Sequence, residues 1–245
     1  MKALVVGASS GVGRALAEGL AAEGKDLFLV ASDPRDLAAL AAHLRLKFGV
    51  RVDTAACHIR WDDAGWLSAL SERMGEPEGF DALFLPIGSS REDDTGGMAE
   101  GAMRQLVEVN FFSVASLVSY FLPTFTRRGT GRIVAFGSVA AARGRSANVV
   151  YAASKRALTS YFESLSHLMA GTAVNIQCYQ LGYVDTQQSY GKRLLFPKIT
   201  PRRAVEIVLG GSRRGSGVRY LPGFWRPIVW LVRSLPWAIY KGLRF

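Results

Sequence analysis

A glycine-rich turn near the start of the chain constrains the fold more than any other feature. Lys2–Val6 is a short apolar run typical of a buried strand, and good helix formers fill Val12–Ala22. Between them stand Gly7, Gly11 and Gly13. Glycine lets the backbone turn tightly and approach a ligand closely, and a helix N-terminus presents free N–H groups to an anion. The segment predicts a strand–turn–helix unit that holds a phosphate, with a purely structural turn as the alternative.

Apolar runs and helical patterns alternate along the chain. The strand-like runs are Lys2–Val6, Leu27–Ala31, Val50–Ala56, Ala82–Ile87, Arg132–Phe136, Val174–Tyr179 and Val218–Leu221. The helical patterns are Val12–Ala22, Asp36–Phe48, Ala64–Arg73, Met103–Phe125, Val149–Ala170 and Pro201–Leu209. This alternation predicts one α/β domain over residues 1–222, with a parallel sheet covered by helices on both faces. Ligands bind such sheets at the carboxyl ends of the strands, near the point where the strand order reverses.

Tyr151 and Lys155 lie four residues apart in the helical sequence VVYAASKRALTSYFESL. Residues at this spacing share one helix face, so the lysine ammonium can lie beside the phenol. A phenol with a pKa near ~10 is a poor acid at neutral pH, and a neighbouring cation lowers that pKa. Ser138 follows an apolar run and can direct its hydroxyl to the same place. These residues predict a site for proton transfer.

In this order and spacing, the glycine turn, Asn110, Ser138, Tyr151 and Lys155 resemble the short-chain dehydrogenase/reductase family, from Met1 to about Thr186. The resemblance implies a single Rossmann-type doubly wound parallel sheet and hydride transfer between NAD(P) and a carbonyl or secondary alcohol. It implies that Tyr151 exchanges the proton, Ser138 orients the oxygen, and Lys155 lowers the pKa of Tyr151 and binds the nicotinamide ribose. Asn110 would anchor a water for proton relay; alternatively it is a polar residue satisfied inside a kinked helix.

The resemblance also implies a set of cofactor-binding residues. These are Gly7, Ser9, Ser10, Gly11, Val12, Gly13, Arg14, Ser32, Arg35, Gly88, Tyr151, Lys155, Gly182, Val184 and Thr186. Gln187–Lys198 would be the substrate lid.

The tip of the second strand favours NADP over NAD, with NAD still possible. In the family an acid at this tip holds the ribose hydroxyls and repels a 2′-phosphate, but here the aligned residue is Ala31. Ser32 and Arg35 follow it, and Arg14 is expected nearby. Asp33 has two interpretations: it caps the next helix, which we favour, or it replaces the missing acid.

Three departures from the family pattern concern the cofactor. Leu85-Pro86-Ile87-Gly88 stands where many members have Asn-Asn-Ala-Gly, His58 stands where an acid is common, and Leu181 replaces a proline. The first departure motivates an alternative function of another class, a non-catalytic dinucleotide-binding scaffold at the membrane surface. An intact Ser138, Tyr151 and Lys155 set counts against that alternative.

The positive charge of the chain is concentrated at its end. The net charge is +10, and residues 191–245 contain twelve Lys or Arg and one acid, which leaves −1 for residues 1–190. Residues 223–245 hold three of the five tryptophans, and Arg226, Arg233, Lys241 and Arg244 fall within about 80° of one another on a helical wheel. Pro227 and Pro236 predict two short helices joined by a bend.

This composition predicts an amphipathic tail that lies on an anionic membrane surface. The alternative, which does not exclude the first, is that the tail packs on the sheet, on a subunit interface or over the substrate pocket. Nucleic-acid binding is not expected, because apolar residues dominate the basic ones.

The remaining expectations concern compartment and partners. No secretory leader precedes the first strand, so we expect a cytoplasmic protein, peripherally bound to a membrane if the tail binds lipid. Two cysteines and three scattered histidines predict no metal site and no disulfide framework. The family implies a homo-oligomer, and the tail favours a small-molecule or lipid-like carbonyl substrate.

Overall fold

The computed structural model describes residues 1–189, 191, 195–211 and 215–243. Its strands are β1 Lys2–Val6, β2 Asp26–Ala31, β3 Val52–Ala56, β4 Ala82–Leu85, β5 Thr130–Ser138, β6 Ala173–Leu181 and β7 Gly217–Leu221. Its α-helices are α1 Gly11–Ala22, α2 Pro34–Phe48, α3 Trp66–Met74, α4 Glu100–Val107, α5 Ser113–Arg128, α6 Val149–Leu168, α7 Pro201–Gly210, α8 Trp225–Ser234 and α9 Trp237–Tyr240. Every predicted strand, and every predicted helix except Met103–Phe125, corresponds to one of these elements within a few residues at the ends.

The seven strands form one sheet in the order β3-β2-β1-β4-β5-β6-β7, and all six pairings are parallel. The strand order reverses between β1 and β4, so the carboxyl ends of these two strands open the crevice in which such sheets bind ligands. The predicted Rossmann-type doubly wound sheet is confirmed.

Alternate residues of each strand pack against helices on opposite faces of the sheet. In β1, Leu4 and Val6 join the core formed with α3, α5 and α6, whereas Ala3 and Val5 join the core formed with α1, α2 and α7. Burial of both faces explains why the strands read as continuous apolar runs rather than as alternating patterns.

The long helix predicted over Met103–Phe125 differs from the structure in one respect. A π-helical turn, Glu108–Phe112, separates α4 from α5. By length and composition the whole stretch Glu100–Arg128 could cross a membrane. However, Leu117, Phe121 and Phe125 are fully buried in the core beneath the sheet, as in a central helix of a globular domain.

Residues 223–243 include the short helices α8 and α9, separated by Leu235 and Pro236. Pro227 lies within the first turn of α8, where proline is tolerated, so the chain bends only at Pro236. Arg244, the fourth member of the predicted basic stripe, lies outside the described residues, as do Tyr190, Lys192, Arg193 and Leu194 of the predicted lid.

Candidate active site

The glycine turn is packed too closely for side chains. A Cβ on Gly13 would lie 1.9 Å from the carbonyl oxygen of Gly7, so only glycine lets α1 approach the end of β1 this closely. Gly7 and Gly11 have φ values of 95° and 50°, which favour glycine. A Cβ on Gly11 would lie 3.1 Å from Cγ2 of Thr186. The fold thus brings Thr186, predicted from the far end of the site, against the turn.

The start of α1 can accept an anion. Ser10 is the N-cap residue, but its side chain makes no capping hydrogen bond, and the first turn contains no acidic residue. The first N–H groups of a helix lack partners within the helix, so this end suits a pyrophosphate. Arg14 forms an ion pair with Glu18 at 3.3 Å on the exposed side of the helix. Ser9 and Val12 are partly buried in the turn between β1 and α1.

Beyond the tip of β2 lies a cavity of about 300 Å³, lined by Ser32, Asp33, Pro34, Arg35 and His58. Asp33 caps α2 by accepting the Arg35 main-chain N–H at 2.8 Å, which confirms the favoured interpretation of this residue. Its carboxylate also pairs with the Arg35 side chain at 2.8 Å and 3.2 Å. The Arg35 guanidinium and the capping bond lower the pKa of Asp33 to about 2. Arg35 therefore lines the predicted phosphate site, but with its charge already paired.

Lys155 is buried, with 3% of its surface exposed, at the centre of the crevice. Its Nζ donates hydrogen bonds to the main-chain oxygens of Ile87, at 3.0 Å, and Phe136, at 3.1 Å, which follow β4 and lie in β5. An ammonium has three N–H bonds, so one further donor position remains beyond these two. Burial lowers the pKa of Lys155 to about 8.

Asn110 lies on the π-helical turn and is fully buried. Its Oδ1 accepts the Ser89 N–H at 3.0 Å, and its Nδ2 donates to the Ser89 oxygen at 2.9 Å. Gly88 lies between this pair and the lysine: a Cβ there would lie 3.2 Å from Lys155 Nζ and 3.5 Å from Asn110 Oδ1. Asn110, Gly88 and Lys155, predicted from three separate motifs, therefore meet at one point.

Ser138 and Tyr151 also meet. The Ser138 hydroxyl lies close enough to the Tyr151 phenol to affect its pKa, and Ser138 Oγ accepts the Ala140 N–H at 3.1 Å. Burial raises the pKa of Tyr151, while the Ser138 hydroxyl and the charge of Arg145 act in the opposite direction. The expectation that Lys155 makes Tyr151 more acidic is not what the structure shows. The net pKa shift is upward, and the cation that opposes it is Arg145.

The segment after β6 packs against the tail. No side chain fits at Gly182, because a Cβ there would lie 1.9 Å from Nε1 of the buried Trp225. The Trp225 ring also packs edge-on against Tyr183 and Phe196, at centroid distances of 5.3 Å and 4.8 Å. Val184 is buried and forms a bridge with Ile199. Gly182 therefore accommodates the tail, a contact that its motif does not predict.

Sequence reasoning missed three residues around the site. Arg145 lies between Ser138 and Tyr151 in the sequence, and its charge opposes the upward shift of the Tyr151 pKa. Arg143 donates to the oxygens of Val232 and Leu235 in the tail. Asp94 caps the helix that carries Tyr151. Nothing in the sequence marks them, because arginines and an acidic run in loops are typical of solvated surface.

Among the described residues, no group of three or more His, Cys, Asp or Glu side chains could hold a metal ion. The residues that converge here are instead a phenol, a hydroxyl, a buried ammonium and a glycine turn.

Comparison with known proteins identifies this constellation. A family model described as short chain dehydrogenase matches residues 1–193. The chain belongs to the short-chain dehydrogenase family. The resemblance seen in the sequence is confirmed, and the protein is an oxidoreductase of this family.

Individual relatives are distant in sequence. The chain is similar to an uncharacterized oxidoreductase of Myxococcus xanthus, with 29% identity over 215 residues that cover 87% of this chain and 84% of that protein. It is similar to human 17-beta-hydroxysteroid dehydrogenase type 1, with 31% identity over 191 residues, 75% of this chain and 56% of that protein. Among solved structures, a short-chain dehydrogenase from Sphingobium yanoikuyae in complex with NADPH matches with a TM-score of 0.83 and 25% identity over 97% of both chains.

Proposed function

We propose that this short-chain dehydrogenase is an NADP-dependent carbonyl reductase or alcohol dehydrogenase that acts on an amphiphilic substrate. The observation that carries the proposal is the meeting of Ser138 with Tyr151 at the end of β5, beside the buried Lys155. When bound, the nicotinamide would supply or accept the hydride; the protein has to bind it, orient the carbonyl and move one proton.

Tyr151 is the proton donor in the reducing direction. The phenol is protonated at neutral pH and so holds the proton that the carbonyl oxygen must receive, although its raised pKa makes it a weaker acid than a free phenol. Ser138, which lies beside Tyr151, would hold the same carbonyl oxygen. The remaining N–H of Lys155 would bind the nicotinamide ribose. Asn110 holds Ser89, and with it the adjacent Gly88, beside Lys155. Membership of the family implies that Asn110 also anchors a water for proton relay.

The phosphates would lie at the α1 N-terminus over Gly7, Gly11 and Gly13, with Thr186 and Val184 at the nicotinamide end. We propose a preference for NADP because the tip of β2 lacks an acid pointing at the ribose: Asp33 is occupied in capping α2 and pairing with Arg35. The Sphingobium yanoikuyae relative in complex with NADPH supports this choice. Ser32 and Arg35 would contact the 2′-phosphate.

The substrate class is inferred from the tail. Its inner face is attached to the segment that follows β5: Arg143 donates to the oxygens of Val232 and Leu235, and Tyr240 donates to the Gly144 oxygen at 2.6 Å. Its outer face leaves Trp230 70% exposed and Trp237 67% exposed, on a segment that also carries basic residues. Exposed tryptophans beside basic residues suit the headgroup region of anionic lipid. A lipid-like ketone could then enter the crevice from the cytoplasmic membrane surface.

Turnover tests the catalytic assignment. Protein and NADPH are mixed with a panel of short-chain and long-chain ketones, and NADPH oxidation is followed by absorbance. Tyr151→Phe should reduce turnover by about 10²-fold or more while NADPH binding, measured by fluorescence, is retained. Tyr161→Phe, on the same helix, is the matched control and should remain active. An active Tyr151→Phe would refute the mechanism. NADPH binding without turnover of any ketone by the wild type would favour the scaffold alternative.

Vesicle co-sedimentation tests the lipid proposal. The full chain should sediment with phosphatidylglycerol vesicles more than with phosphatidylcholine vesicles. The double variant Trp230→Ser/Trp237→Ser should abolish this difference between the two kinds of vesicle. Leu46 is 90% exposed elsewhere on the surface, and the control variant Leu46→Ser should keep the difference. Equal recovery of all variants would leave the tail as a pocket cap only.

We also propose a homo-oligomer, as the family implies. Sedimentation velocity of the full chain measures it, and a single monomer boundary at micromolar concentration would contradict it.

A further inference from the structure

The loop between β4 and α4 contains a buried carboxylate, Asp94, which is 1% exposed. Its Oδ1 accepts the main-chain N–H of Val150 at 2.9 Å, and its Oδ2 accepts that of Tyr151 at 2.8 Å. Its own main-chain oxygen accepts the N–H of Val149 at 3.4 Å. Asp94 therefore receives the first three N–H groups of α6 from a position more than fifty residues earlier in the chain.

The start of α6 needs such an external partner. The residue before the helix, Asn148, has a left-handed φ of 56° and its side chain makes no capping hydrogen bond. The first N–H groups of a helix have no partner within the helix, and burying them unpaired is costly. A carboxylate is a strong acceptor for them and is favoured by the positive end of the helix dipole.

The same loop holds the other members of the site. Ile87 accepts a hydrogen bond from Lys155, and Ser89 is paired in both directions with Asn110. Between residues 87 and 94 the chain thus contacts the side chains of Lys155 and Asn110 and the main chain of Tyr151. Eight residues of one loop thus set the position of α6 relative to the π-helical turn.

From this juxtaposition we infer that Asp94 is a positioning residue for the proposed reaction: it fixes the first turn of α6, the helix that carries Tyr151 and Lys155, so that the Tyr151 phenol stays beside Ser138. The inference rests on the proposed function. It concerns the chemical step, because the contacts of Asp94 are to the helix of Tyr151 and not to the glycine turn or the tip of β2.

The test compares Asp94→Ala and Asp94→Asn with Asp93→Ala and Asp93→Asn. Asp93 is the neighbouring acid in the same loop, and its side chain is 58% exposed and paired with Arg91. Asp94→Ala should lower kcat by about tenfold or more with the KM for NADPH changed less than about twofold. Asp94→Asn keeps one acceptor oxygen but turns an NH₂ toward the helix. Its kcat should therefore fall between that of the wild type and that of Asp94→Ala. Both Asp93 variants should resemble the wild type.

Hydrogen exchange supplies a readout that does not need turnover. The amides at the start of α6 should exchange at least about tenfold faster in both Asp94 variants than in the wild type, while those near Leu165 remain protected. If Asp94→Ala does not fold, both the kinetics and the hydrogen exchange are measured on Asp94→Asn. Unchanged kcat in a folded Asp94 variant, or a loss that falls on the KM for NADPH, would overturn the inference.

The two proposals fail differently. A wild-type protein that reduces no ketone defeats the proposed function, and exchange at Val150 and Tyr151 then still decides whether Asp94 fixes this turn. A wild type that is active, with Asp94 variants that exchange faster and keep full kcat, defeats only the inference about Asp94.

Discussion

The two ends of the crevice are built in opposite ways. At the catalytic end, Lys155 and Asn110 are buried and bonded to main-chain groups 68 and 21 residues away in sequence. At the adenosine end, Arg35 and Arg14 are exposed, and their partners lie two and four residues away. Long-range bonds between buried groups hold one geometry, whereas exposed local ion pairs contribute little and rearrange easily. The contacts at the proposed catalytic end are therefore specified by distant parts of the chain, and we propose that a few surface charges decide the choice of cofactor.

The largest expected effect is the loss of Lys155. Lys155→Met removes the buried charge and leaves the oxygens of Ile87 and Phe136 without their donor, so turnover should fall by about 10²-fold or more. Arg156→Met, the adjacent exposed cation, is the control and should retain activity. Steady-state kinetics with NADPH measures both. An equal fall in turnover in Lys155→Met and Arg156→Met would show that the buried contacts of Lys155 have no special role in catalysis.

The buried charge should also leave a signature in the pH dependence of stability. Lys155 has a pKa of about 8 in the fold against 10.5 in the unfolded chain, so the unfolded state binds more protons between these values. The free energy of unfolding should rise through this window as the buried charge is removed, by up to about 3 kcal/mol. Urea unfolding of the wild type and Lys155→Met at a series of pH values isolates the contribution. A constant difference between them would contradict the burial of a charged lysine.

Asn110→Ala should have a smaller effect on the same end. It removes two hydrogen bonds and leaves the N–H and oxygen of Ser89 without this partner, which should reduce the free energy of unfolding by about 1–3 kcal/mol and reduce kcat. Ser113→Ala is the matched control: this buried hydroxyl donates to the oxygen of Val109, one turn earlier, and makes no hydrogen bond to Ser89 in the described part of the chain, so its loss should spare turnover. Chemical unfolding and kinetics on both variants decide whether the clamp on Ser89 matters for catalysis.

The smallest effect is expected at the adenosine end. Arg35→Ala should raise the KM for NADPH by less than about tenfold and leave that for NADH unchanged, because Arg35 is exposed and already shares its charge with Asp33. Arg51→Ala, which breaks a comparable exposed pair with Asp26 at the other end of β2, should change neither. A hundredfold rise in the KM for NADPH in Arg35→Ala would mean that this exposed ion pair matters as much as the buried contacts of Lys155.

Much of the fold was predictable because the signals are local. Apolar runs and helical periodicity located the strands and most of the helices, and the glycines located the turn between β1 and α1, since each signal depends on neighbouring residues alone. Asp33 was correctly interpreted as a helix cap for the same reason. The π-helical turn at Asn110 was not predicted, and the bond from this asparagine to Ser89 joins it to the loop after β4, which no local pattern reveals. The direction of the Tyr151 pKa shift was not predicted either, because it depends on burial.

By itself the sequence determined the family, the strand–helix alternation and the residues that can carry the proton, because these follow from periodicity and from motifs of fixed spacing. The tertiary structure alone decided that Asp94 holds the helix of Tyr151, that Arg145 supplies the nearby charge, and that Trp225 fills the space above Gly182. Those contacts join residues tens of positions apart, and only the packing of the sheet and its helices brings them together.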